Sequence, residues 1–151
     1  MEISLLADHK MEAPKIAEWY FGEWGASSET PTLVSVTEKI LLGTNRVKVP
    51  ILFVAHVDGV LVGAGELKQR SLEVYPDYEF WLDGIFIPLE YRGNGYSKKL
   101  INFASKKAME LGISSLYLRC TPNNVGLYEK HGYSVLAPEG NKFIMGLHLS
   151  T

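Results

Sequence analysis

The hydrophobic positions of the chain alternate between the periods of strands and of helices. At the N-terminus Ile3-Ser4-Leu5-Leu6 is a short apolar run that reads as a strand, with Asp8 placed to cap the element after it. Ile16, Tyr20 and Trp24 then recur at helical spacing with Trp19 beside them, which predicts a helix with one apolar face. Pro14 suits its first turn, where a missing N–H costs little. Thr30-Pro31 reads as a second helix start and Gly43 as its stop. The period then becomes that of strands: 51–57 and 60–67 are joined by Asp58-Gly59, a hairpin turn, and 78–87 is rich in aromatic and β-branched residues. Over 95–111 the pattern is helical again, with Leu100, Ile101, Ala104, Ala108 and Leu111 inward and Lys98, Lys99, Lys106 and Lys107 outward. Gly112 closes that helix; 115–120 is a strand, 125–131 a short helix, and 133–137 with 143–149 a final hairpin. This order predicts a mixed α+β or α/β sheet with a parallel pair flanking the long helix.

Composition narrows the class. The 151 residues suffice for one domain with a sizeable core and are few for two, so a single domain over 1–151 is expected. Fifteen basic against seventeen acidic residues give a net charge of −2, which argues against a bulk electrostatic grip on nucleic acid or on anionic membrane. The longest apolar stretch, 49–55, is far short of the roughly 20 residues of a membrane span. Glu2 and Asp8 bracket too few apolar residues for a secretory signal, and the single cysteine, Cys120, fits a reducing compartment. A soluble, cytoplasmic protein is the expectation.

The sharpest local feature is Tyr91-Arg92-Gly93-Asn94-Gly95-Tyr96-Ser97, between a strand and the long amphipathic helix. Glycines let successive backbone N–H groups converge, and the helix start adds about half a positive charge, so the segment suits an anion. Lys98 stands five residues after Gly93, where a Walker loop or a dinucleotide fingerprint requires glycine, so neither motif is present.

The stretch Asp83-Gly84-Ile85-Phe86-Ile87-Pro88-Leu89-Glu90-Tyr91-Arg92-Gly93-Asn94-Gly95-Tyr96-Ser97, followed by Leu100, resembles the central motif of the GNAT family of N-acetyltransferases. Leu127-Tyr128-Glu129-Lys130-His131-Gly132-Tyr133 is similar to that family's second signature, at the distance the family requires. The resemblance covers about residues 50 to 137; the first 45 match only in type, and Ser97 stands where the family usually has Gly or Ala. It implies the GNAT fold: a central, mostly antiparallel twisted sheet with a splayed parallel pair and about four helices. It implies an acetyl-CoA-dependent N-acetyltransferase acting by direct attack of a primary amine in a ternary complex, and often a homodimer. Arg92, Gly93, Asn94, Gly95, Tyr96 and Ser97 would hold the coenzyme A pyrophosphate, and Ile85, Phe86 and Ile87 would lie along the pantetheine arm. Asn124, with Asn123 as rival, would reach the arm or the phosphates, and the oxyanion would meet a backbone N–H near Ile85. Tyr128, the family's usual general acid, would protonate the leaving thiolate.

The proton acceptor is open between Asp83 and Glu79, and alternation along the strand puts both on the face of Ile85 and Ile87 unless a bulge intervenes. Asp83, nearer the expected thioester, is the first choice. Glu73, Asp77, Glu79, Asp83 and Glu90 form an acidic segment without Lys or Arg, which either favours a small cationic or peptide/protein amine acceptor or is a solvated loop. Trp19, Tyr20, Phe21 and Trp24 either wall the acceptor or belong to the core. Cys120 reads as a structural thiol. His9, His56, His131 and His148 show no metal-ligand spacing with each other or with Cys120, so no metal is expected. The rivals are a coenzyme A-binding regulatory module without activity and a generic nucleotide-binding protein.

Overall fold

The computed structural model describes residues 1–24 and 32–149. In chain order its elements are β1 (Glu2–Leu5), α1 (Ala13–Trp24), α2 (Leu33–Leu41), β2 (Ile51–Val57), β3 (Val60–Gln69), β4 (Phe80–Phe86), α3 (Tyr96–Glu110), β5 (Ser115–Cys120), α4 (Val125–Glu129), β6 (Ser134–Glu139) and β7 (Lys142–His148). Among the described residues, seven strands form one sheet in the order β1-β2-β3-β4-β5-β7-β6. Every neighbouring pair is antiparallel except β4–β5, whose crossover is α3.

Strand β2 explains the layering. Its residues from Ile51 to His56 are all buried, because both faces of the sheet are covered. Phe53 and Ala55 face one core with Leu100, Ile101, Ala104 and Ala108 of α3. Leu52 and Val54 face the other, with Ile16 and Ala17 of α1 and Ile40 of α2. The inward residues named from the helical period are those that α3 buries, save Leu111, which is partly exposed.

The element boundaries shift for local reasons. Asp8 caps no helix: it closes a 3-10 turn, and its Oδ1 accepts from Arg46 Nη2 at 2.6 Å, which holds its carboxyl below the usual value. Pro14 does lie in the first turn of α1. The expected start at Thr30-Pro31 lies outside the described residues; α2 is capped by Thr32, which trades hydrogen bonds with Ser35 in a capping box. The 78–87 strand is shorter than expected. The Tyr78 N–H donates to the Tyr75 carbonyl (3.1 Å) in a turn, and Pro88 comes directly after Ile87, so β4 runs only from Phe80 to Phe86.

Candidate active site

The site is built where the sheet stops being a sheet. Strands β4 and β5 share a single registered pair, Trp81 with Tyr117, and then part. The gap is a cavity of about 660 Å³, lined by Glu23 and Trp24 of α1, by residues 82–87, by Arg92 and Ser97, by Arg119, Cys120, Thr121, Asn123 and Asn124, by Leu127 and Tyr128 of α4, and by Lys142. Of the residues singled out from sequence, Asp83, Ile85, Phe86, Ile87, Arg92, Ser97, Asn124 and Tyr128 meet in this wall.

Gly93, Asn94, Gly95 and Tyr96 are not in the wall but connect it to α3. Gly93 and Gly95 have φ of +85° and +78°, and a Cβ added at either would meet nothing within 4 Å. The space beside both glycines is therefore open, at the start of α3, whose first N–H groups have no helical partner. The loop is tied down from the sides: Arg92 Nε donates to the Ile87 carbonyl at 2.8 Å, with its guanidinium over the Phe86 ring, and Asn94 Nδ2 donates to the Tyr91 carbonyl at 2.9 Å.

A bulge in β4 sets which side chains point where. Glu66 pairs with Asp83 and Ala64 with Phe86, so two residues, Gly84 and Ile85, oppose one on β3. Leu82, Ile85 and Ile87 face the α3 core, while Phe86 meets Trp19 and Trp24 of α1. Asp83 is thus on the α1 side, opposite to Ile85, and simple alternation fails there. Gly84 adopts φ +64°, and its carbonyl accepts a 2.6 Å hydrogen bond from Tyr20 Oη. A Cβ on Gly84 would lie 2.7 Å from that oxygen.

Asp83 is ion-paired with Lys68, and half of its side chain is exposed. Burial pushes its carboxyl up, but Lys68, through charge and hydrogen bond, the Gly84 N–H and Arg119 together hold it below the usual value. It is an ionised carboxylate at neutral pH. Its ladder partner Glu66 behaves oppositely: burial, with the Asp83 charge, raises it despite Lys68 and Lys39. The structure does not bring Glu79 to the cleft. It precedes the shortened β4, and its carboxylate accepts from Gln69 Nε2 at 3.2 Å. Of the acidic segment, only Asp83 reaches the wall; Arg92, Arg119 and Lys142 outnumber Asp83 and Glu23 there.

Tyr128 sits against Tyr133 edge to face, with ring centroids 5.9 Å apart. Burial first, then Cys120 and Asp83, push its phenol up to about 12. Burial likewise pushes up the Cys120 thiol, whose Sγ lies 3.5 Å from Met145 Sδ in the core. Asn123 and Asn124 both reach the wall, and both hydrogen-bond Thr121 Oγ1, so the rivalry between them stands. Trp24 walls the cleft, whereas Trp19 and Tyr20 pack on the core between α1 and the sheet. Glu23, Glu66, Lys68, Arg119 and Lys142 carried no local motif; topology alone assembles them.

No curated protein gives a significant match. Solved structures do match over essentially the whole chain, at identities that speak for the fold. An aminoglycoside 6'-N-acetyltransferase complexed with coenzyme A superposes with a TM-score of 0.78 at 16% identity, covering 100% of this chain and 98% of that one. The ribosomal-protein-alanine N-acetyltransferase from Brucella melitensis gives 0.76 at 17%, covering 99% and 100%. A PaiA N-acetyltransferase from Thermoplasma acidophilum in complex with coenzyme A gives 0.65 at 20%, covering 98% and 99%. The sheet, with its single parallel pair around α3, is therefore the GNAT fold. The sequence profile of the acetyltransferase (GNAT) family matches residues 13–133, so the loop, the parted strands and the Tyr128 helix all fall within it, and the chain belongs to that family.

Proposed function

We propose that the protein is an acetyl-CoA-dependent N-acetyltransferase, transferring acetyl to a primary amine by direct attack in a ternary complex. The supporting observation is the cleft between β4 and β5, with the glycine loop at one end and Tyr128 in its wall. The residues fit the cofactor: the space beside Gly93 and Gly95 is open at a helix start, and the bulge takes one residue of β4 out of the ladder. Backbone amides of Arg92, Gly93, Asn94, Gly95, Tyr96 and Ser97 would hold the diphosphate. Main-chain groups of Ile85, Phe86 and Ile87, with Asn124 or Asn123, would hold the pantetheine arm. Bound acetyl-CoA supplies an acyl group activated as a thioester.

The chain's own residues then meet three demands. The Ile85 N–H would donate to the carbonyl oxygen as charge builds there. Tyr128 Oη carries its proton at neutral pH and would donate toward the departing sulfur. An amine of lysine type costs about 4.6 kcal/mol to deprotonate at pH 7. Asp83, ionised and in the wall, would draw the ammonium into the cleft; its ladder partner Glu66 lies outside the wall, and a proton would reach it only through water. Glu79 takes no part. The acceptor is a small cationic amine or a peptide or protein amine, and the buried lone cysteine supports a cytoplasmic setting. The test is coenzyme A thiol release over a panel of amine classes. Acetyl-CoA-dependent release with one class or more is expected; tight acetyl-CoA binding with no turnover on any class would favour the regulatory module instead.

A further inference from the structure

A second convergence of reactive side chains lies where the N-terminal segment meets the end of β2, and the reaction proposed above uses none of them. His56 is buried, and its Nε2 faces both carboxylate oxygens of Glu12, at 2.8 and 3.0 Å. Glu12 Oε1 is also 3.7 Å from His9 Nδ1, and the two imidazoles lie with centroids 4.5 Å apart. One ligand atom from each of the three falls within 4.8 Å of the others. The backbone fixes this arrangement: His9 joins two 3-10 turns, its N–H donating to the Leu6 carbonyl (2.8 Å) and its carbonyl accepting from the Glu12 N–H (2.9 Å).

We propose that His9 Nδ1, His56 Nε2 and the Glu12 carboxylate bind a divalent transition-metal ion of the zinc type, with water completing the coordination. Two imidazoles and a carboxylate are a borderline donor set that suits zinc. Bonds of about 2.0–2.1 Å place tetrahedral ligands roughly 3.3–3.4 Å apart. The two nitrogen-to-carboxylate separations, 2.8 and 3.7 Å, straddle that spacing, and all three ligand atoms lie within 4.8 Å of one another, so an ion would draw the set together by side-chain adjustment. A hydrogen bond alone accounts for His56 with Glu12. A second nitrogen turned to the same carboxylate, with its own orienting partner, is what a cation accounts for: His9 Nε2 lies 3.3 Å from Ser4 Oγ, which can accept its proton and leave Nδ1 as the free ligand. Side-chain exposure rises from 9% at His56 through 22% at Glu12 to 35% at His9, giving a buried floor and an open side for entry and for water. Forty-four residues separate Glu12 from His56, so no sequence spacing reveals the set. The ion would clamp the entry of α1, the helix that brings Glu23 and Trp24 to the cleft.

The test uses full-length protein stripped with a chelator and titrated with zinc chloride, by calorimetry and thermal unfolding, with cobalt(II) as an optical probe. Unit stoichiometry is expected, with the unfolding midpoint raised by about 5–10 °C at a hundredfold excess over Kd. Glu12→Gln keeps an oxygen for His56 and removes the charge; His9→Ala removes the most exposed of the three ligands. Both should bind zinc about 100-fold more weakly, and lose the shift, while unfolding in chelator near the wild-type midpoint. Absence of unit-stoichiometry binding in the wild type, or wild-type affinity in both variants, overturns the site and leaves a hydrogen-bonded cluster.

Discussion

Replacing Tyr128 by Phe removes one oxygen and keeps the ring and its edge contact with Tyr133. The contribution of that oxygen is set by its environment. With the phenol pushed up to about 12 and a departing thiol near 8.5, the acid is weaker than its partner by about 3.5 pK units. Complete proton transfer from Tyr128 to a free thiolate is therefore uphill by about 5 kcal/mol. In the proposed reaction Tyr128 would act instead as a hydrogen-bond donor while charge gathers on sulfur. A hydrogen bond to a charged group is worth about 1.5–3 kcal/mol, or roughly 10–150-fold in rate. The Phe variant should lose kcat by that factor in a thiol-release assay, with KM for acetyl-CoA moving less than about threefold, since the ground state carries no charge there. The wild-type rate should show no alkaline loss from Tyr128 below about pH 11. A kcat within twofold of wild type would refute the assignment, and so would an equal loss in acetyl-CoA affinity, which would make Tyr128 a binding residue.

Three further substitutions probe the rest of the cleft. Gly95→Glu must hold the left-handed backbone at a cost of about 1–2 kcal/mol and sets a negative charge at the loop; calorimetry should show acetyl-CoA affinity reduced about 100-fold or more, and unchanged affinity would mean the loop is not the diphosphate site. Tyr20→Phe removes the hydrogen bond to the Gly84 carbonyl, so the unfolding midpoint should fall by about 2–4 °C and kcat should fall more than KM rises; no change in either would mean the bulge holds its shape unaided. Lys68→Met removes the cation that keeps Asp83 low. A depressed carboxylate stabilises the fold above its ordinary pKa and loses that contribution as pH falls through the folded value, so urea unfolding should show a wild-type advantage at about pH 6 that shrinks toward about pH 3, because the variant has less Asp83 stabilisation to lose. Coincident acid limbs would show that Lys68 does not set the Asp83 charge.

What sequence made legible here was local. The α3 period, the Asp58-Gly59 hairpin, the glycine loop and the Tyr128 helix each depend on residues within one turn or one strand of each other, and each is where the pattern put it. Positions set by pairing across the sheet were not legible. Lys68 finds Asp83 through the β3–β4 register, Arg119 enters the cleft from β5 where it parts from β4, and Lys142 reaches it because β7 lies beside β5. Glu79 stands outside the cleft wall because it precedes Phe80, at the end of β4 remote from the bulge, and the bulge itself breaks the alternation between Asp83 and Ile85. Trp24 belongs to the helical stripe of α1, yet the stripe outruns the sheet it packs on, and its last member is left 40% exposed in the cleft wall.

The bulge at Gly84 links these observations. In a regular β4, Asp83 would share the face of Ile85 and Ile87, and its carboxylate would enter the apolar core beneath α3, a placement that costs several kcal/mol without a partner. One extra residue turns Asp83 to the side of α1, where Lys68 and Glu66 flank it, and leaves Ile85 and Ile87 in the core. The same residue interrupts the ladder at the point where β4 has already left β5. A single insertion thus separates a face carrying Asp83, Lys68 and Glu66 from the main-chain edge to which the proposed reaction assigns the thioester. Tyr20 secures it from a third element: its hydroxyl occupies the space a side chain on Gly84 would need and bonds the carbonyl that the bulge leaves facing α1.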